Sequence, residues 1–129
     1  MQEIVKELTD YLYVIETFDK DSAQDGQALY AYLIDLTNKQ ARANFIMAEY
    51  KRKMRQEKAA NYIALSKSDH ANQKYYAPSL ARDYIDAQSS EVSFVYDLAE
   101  RLSRCITHCM DCIRTIISSL KSERMAANF

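Results

Sequence analysis

Three thiols within eight residues are the densest concentration of reactive side chains in this sequence. Cys105, Cys109 and Cys112 stand at C-x3-C-x2-C spacing, and as thiolates they could hold zinc or an iron–sulfur cluster. On a helix the second and third lie about 400° and 700° round from the first, hence on one face. A cluster needs flexible backbone around its ligands, whereas no Gly or Pro interrupts the chain from Ser79 to its end. A free Cys on an apolar helix face behaves as a small hydrophobe. Packing is therefore the expected role, with zinc completed by His108 or by a second protomer as the alternative.

The remaining catalytic inventory is thin. His70 and His108 are the only histidines, and no Glu-x-x-His pair of the helical di-iron kind occurs. No Ser, Cys or Thr has an evident base and orienter, and no glycine-rich loop could cradle phosphate. Glu-x-x-Glu is absent, so the paired carboxylate set with which helical nucleotide pyrophosphohydrolases hold magnesium is not assembled. Neither enzymatic activity nor a cofactor is expected.

The strongest charge signal is Lys51-Arg52-Lys53-Met54-Arg55-Gln56-Glu57-Lys58. The net charge of −1 hides an asymmetry: residues 1–36 carry two lysines against eight acids, and residues 39–67 carry eight cations against two acids. Such a run can contact the phosphates of DNA or RNA. The preferred reading sets it opposite Asp83, Asp86, Glu91 and Asp97, in salt bridges flanking a helical hairpin. Arg101, Arg104, His108, Asp111, Thr115 and Ser118 form a second polar stripe, and Lys74-Tyr75-Tyr76 offers aromatic contact. Candidate partner or nucleic-acid contacts are thus Lys51, Arg52, Lys53, Arg55, Lys58, Arg101, Arg104, Tyr75 and Tyr76.

One Gly and one Pro in 129 residues leave almost no turn chemistry, so the chain reads as a single all-α domain of few, long helices. The organising element is the last helix, about 79–125. Val92, Val95, Ala99, Leu102, Ile106, Cys109, Ile113, Ile116 and Leu120 alternate at spacings of 3 and 4, the narrow seam of a coiled-coil-like bundle. Gln88-Ser89-Ser90 is its weak spot and the expected place for a kink. A first helix over 1–18 presents Ile4, Val5, Leu8, Leu12 and Ile15, with Glu3, Glu7 and Asp10 together on a neighbouring face.

Phe18-Asp19-Lys20-Asp21 ends that helix, and Ser22-Ala23-Gln24-Asp25 resembles a capping box that opens a second helix over about 23–68. Its seam, Leu29 to Leu65, is interrupted around Lys51–Ala60, with a break possible at Thr37-Asn38. Pro78 disfavours helix at Ala77, leaving Ser79 as N-cap. Folding the two long helices antiparallel about residue 73 sets Arg55 near Val92, Ile46 near Arg101 and Leu36 near Asp111. The first helix is then expected at the open end of the hairpin, beside the start of the second helix and the end of the third.

That placement leaves the last helix partly uncovered, so a homo-oligomer, a dimer or higher, is expected, with Phe94, Tyr96, Met110 and Ile117 as its contacts. The opening Met1-Gln2-Glu3-Ile4 lacks the pattern of a signal peptide, and no apolar run approaches the ~20 residues of a membrane span. The expected location is cytoplasmic, with no membrane partner.

Ala99-Glu100-Arg101-Leu102, Thr107-His108, Asp111 and the run Ile113-Arg114-Thr115-Ile116-Ile117-Ser118-Ser119-Leu120-Lys121-Ser122-Glu123 resemble the C-terminal helix of small helical accessory proteins of phages and prophages. Gln40-Ala41-Arg42-Ala43 and Ala48-Glu49-Tyr50-Lys51 are similar in kind. The likeness covers about a third of the chain. It implies a non-enzymatic protein that binds and modulates or inhibits a host protein, a host-defence component in the manner of an anti-CRISPR protein. The alternative is a nucleic-acid-binding accessory of phage replication or recombination that uses residues 51–58. A scavenger of small nucleotides bound between protomers is a third reading.

Overall fold

The computed structural model describes residues 1–17, 26–72 and 77–127, with the side chains of 68–72 excepted. Every described element is an α-helix: α1 (Gln2–Glu16), α2 (Gly26–Asn72), α3 (Pro78–Gln88) and α4 (Ser90–Ala127). The architecture is an all-α bundle in which α2 lies along α3 and α4. The capping-box stretch 22–25, the residues 18–21 and the tyrosines Tyr75 and Tyr76 lie outside the described residues, as does the side chain of His70.

At 47 residues, α2 is about 70 Å long. No break occurs at Thr37-Asn38, where the Thr37 hydroxyl folds back to donate to the Leu33 carbonyl at 2.8 Å. The helix also runs on past Ser68 to Asn72. Ser79 is not the N-cap of α3. Ala77 takes that position, with extended backbone at φ −57° and ψ 145°, and Pro78 follows as the first helical residue. Proline's fixed φ already suits that place, and its missing N–H costs nothing there.

The expected long last helix is two helices that meet at Ser89. Its hydroxyl is buried and donates to the Ile85 carbonyl at 2.9 Å, a back-bond that bends helices. The turn is shallow, since the Ser89 N–H still reaches Ile85 O and the Ser93 N–H reaches Ser89 O.

The core is the facing seam of α2 and α4. Leu36, Ala43, Ile46 and Tyr50 meet Val95, Ala99, Leu102, Ile106 and Ile113 in one buried cluster. Polar pairs fix the antiparallel register. Gln40 Nε2 donates to Thr107 Oγ1 at 2.7 Å, Ser103 Oγ donates to Asn44 Oδ1 at 2.9 Å, and Ser93 Oγ contacts Met54 Sδ at 3.2 Å. These are the levels set by a fold about residue 73.

Two expectations are corrected here. The buried stripe on α4 runs Val92, Val95, Ala99, Leu102, Ile106, Met110, Ile113 and Ile117, at spacings of 3, 4, 3, 4, 4, 3 and 4. After Ile106 it leaves the strict heptad, because α4 keeps close to the ~3.6-residue period of a straight helix. Met110 and Ile117 therefore belong to the core and offer no oligomer contact, while Cys109, Ile116 and Leu120 are only partly buried beside it. Helix α1 is also not confined to the open end. It packs chiefly on α4, parallel to it, with Met1 and Val5 against Ser90, Phe94 and Val95 and its other end at Tyr32, whose hydroxyl donates to Val14 O at 3.3 Å.

The shifted stripe is testable by urea unfolding. Ile117→Ala should cost about 2–5 kcal/mol, as buried aliphatic truncations do, and Ile116→Ala clearly less. Equal losses, or a larger one at Ile116, would restore the strict heptad.

Candidate interaction surface

Along its inner side, α1 is tied to α2 by one polar knot. Arg42 donates through Nε to Glu7 Oε1 at 2.8 Å and through Nη2 to Oε2 at 3.2 Å, and the Tyr11 hydroxyl donates to Oε1 at 3.1 Å. The Arg42 hydrogen bond holds the Glu7 carboxyl below its ordinary value against the opposing effect of burial, with Tyr11 assisting. Burial, and then the Glu7 carboxylate, push the Tyr11 phenol up. The Arg42 guanidinium also lies 5.7 Å from the centre of the Phe45 ring.

The basic run is partly absorbed into the scaffold. Lys58 pairs with Asp86 across the hairpin at 3.2 Å. Lys53 pairs with Glu49 one turn back at 3.3 Å and lies 4.6 Å over the Tyr50 ring. Asp83, Glu91 and Asp97 form no ion pair with the run, and among the described residues Lys51, Arg52 and Arg55 have none. At about 100° per residue these three spread over more than a quarter of the helix circumference. Arg104 pairs with Glu100, and Arg101 and Arg104 lie on α4, on outward faces that do not adjoin Lys51 and Arg55. The cations are not gathered on one phosphate-sized face.

Of the thiols only Cys109 packs on the core; Cys105 is half-buried, and Cys112 is exposed, outside the expected packing role. Burial first, then Cys112, push the Cys109 thiol up, which disfavours the thiolate that binds metal. His108 is exposed. Among the described residues no group of His, Cys, Asp or Glu has the arrangement of a metal site, and no helix is long and apolar enough to cross a membrane.

What stands out is apolar surface. Phe94 is 57% exposed and Tyr96 half-buried. Phe94, Val95, Met1 and Val5 bound an open cavity of about 500 Å³, at the level where α1 starts. Beyond it, toward the tip, the described chain is two helices only. There Leu80 and Tyr84, each about half exposed, stand one helical turn apart on α3, Tyr84 lying ten residues before Phe94. A separate stripe, Tyr30, Ile34 and Phe45, faces outward from α2 on the side away from the core. Neither Leu80 and Tyr84 nor the α2 stripe is among the expected contacts. The signal was present, since apolar residues recur at helical spacing on both sides of α2.

Protein-family models, curated proteins and solved structures were all compared with this chain. None matches. The surface itself has to carry the functional argument.

The Glu7–Arg42 pair gives a pH signature. A carboxyl whose folded value lies below its ordinary 4.5 adds stability above that value and loses it as the pH falls through the depressed one. Glu7→Gln should therefore lower stability at pH 7, by up to about 1 kcal/mol for so accessible a pair. The gap to the unaltered protein should narrow as the pH falls below 4.5 through the depressed value. A gap that keeps its size through that acid range, read by urea unfolding, would show that the charge contributes nothing.

Proposed function

We propose that this is a non-enzymatic interaction protein of phage or prophage type that works in the cytoplasm of a host cell. It binds an amphipathic helix of a host protein, a host-defence component being the target class, and modulates or blocks it by occupying that helix.

The observation that carries this reading is the unfilled line of α1. Helix α1 lies on the flank of the hairpin and reaches only to Ser90–Val95, while Phe94 at that level and Tyr84 and Leu80 farther toward the tip leave large apolar side chains exposed. On the α2 side that flank carries the small, exposed Ala60 and Ala64. A ridge of large apolar residues beside small ones is the shape that receives a helix, read through anchors at i, i+3 or i+4, and i+7. The nucleic-acid alternative has less support, because its cations are dispersed and two of them are paired.

Immobilised protein incubated with host lysate should retain a discrete host protein. Phe94→Glu and Tyr84→Glu should each weaken that retention about 10-fold or more, as loss of an anchor does, with thermal melting nearly unchanged. Retention indifferent to both substitutions would refute the groove. A gel shift with single- or double-stranded nucleic acid that falls steeply with salt and is lost in Lys53→Glu/Arg55→Glu would favour the alternative.

A further inference from the structure

The outward stripe of α2 has a property that the tip groove lacks: it is complementary to itself. Exposed positions occur there at 30, 34, 41, 45, 48, 52, 59 and 63, spaced symmetrically about the point between Ile46 and Met47. Reversing the helix about that point sets Phe45 opposite Ala48, Ile34 opposite Ala59, Ala41 opposite Arg52 and Tyr30 opposite Ile63. Large side chains meet small ones at Phe45 and Ile34, and the two bulky ends, Tyr30 and Ile63, meet each other. Ile34 at 65% and Phe45 at 59% exposure are among the most open large apolar residues of the chain.

We infer that two copies of this chain associate through the outer face of α2, antiparallel and about a two-fold axis between Ile46 and Met47. The same patch used twice is the default geometry of a homodimer. Phe45 of each copy sits over the small Ala48 of the other, as a knob in a hole.

Charge favours this direction toward the ends of the stripe, where Arg55 and Lys58 of one copy lie at the levels of Asn38 and Asp35 of the other. Asp10 lies about one turn along α1 from Glu7, which is anchored at Arg42, and so stands near the level of Asn38. The two-fold brings the second copy's Arg52 to the level of Ala41, about one turn from the level of Asp10. Neither Asp10 nor Arg52 has an ion pair within its own chain among the described residues. A parallel pair would instead stack the basic runs on each other.

The stripe is about 50 Å long and one helix wide, about 10 Å. Two such strips bury on the order of 1,000 Å², the threshold for a specific interface. The dimer is accordingly of moderate strength, and it leaves the tip groove free. It goes beyond the host-protein reading and stands or falls separately from it.

Sedimentation equilibrium at micromolar to 100 micromolar concentration reads the outcome. The expected mass is twice the 14.9 kDa of one chain. Phe45→Glu and Ile34→Glu should each raise the dissociation constant about 100-fold or more, with helicity by circular dichroism unchanged at the same concentration. Tyr84→Glu and Phe94→Glu, on the tip groove, should leave the mass at that of the dimer. A monomer at 100 micromolar overturns the inference. So does a dimer that survives both α2 substitutions, or one lost through Phe94→Glu instead.

Discussion

The fold depends on keeping two helices of unequal irregularity in contact along one line. That line is the α2–α4 seam, and its demand is geometric: a straight α-helix turns about 100° per residue, so only positions returning at close to 3.6 residues can stay on it. Small residues hold the middle, Ala43 at the level of Leu102 and Ile106 and Ala99 at the level of Ile46 and Tyr50, and larger ones fill either side, Leu36, Ile46, Leu102, Ile106 and Ile113, all fully buried. Apolar contact alone would tolerate sliding by one turn. Gln40–Thr107 and Ser103–Asn44 do not, because a slip would separate both pairs. Packing supplies most of the free energy and the polar pairs choose among registers.

Everything outside that line is secondary to it. Helix α1 covers one flank and is aligned by Glu7, Arg42 and Tyr11. The opposite flank is polar, with Gln40 and Asn44 facing Ser103 and Thr107. What remains apolar and open lies where no described element reaches, on the back of α2 and along the tip. The cations of the middle of α2 divide between these regions, which is why so prominent a run in the sequence produces no single basic face.

Much of this was legible beforehand, for a physical reason. With one Gly and one Pro the chain has few places to turn, so antiparallel pairing and register followed from the spacing and from Pro78, although the described residues form four helices where three were expected. The Ser89 turn was visible as a weak stretch for the same reason. The details that escaped are those needing three-dimensional phase. Counting in sevens carries a seam onto Cys109 and Ile116, whereas a helix that does not supercoil carries it onto Met110 and Ile117. The reach of α1 escaped because no sequence feature marks which level of α4 its Leu8 will occupy. The α2 back face escaped because an amphipathic pattern is sought as one stripe, and Tyr30, Ile34 and Phe45 fall between the members of the seam.

The turn at Ser89 divides the molecule into parts with different local stability. Above it three helices share a buried cluster, whereas below it two helices hold each other through little more than Ile85, Ser89, the partly buried Leu65 and the Lys58–Asp86 ion pair. Amide protection should follow that division, with the lower part exchanging through sub-global openings while the upper part opens only on complete unfolding. A segment poised in this way can reshape around what it meets without disturbing the seam that holds the chain together.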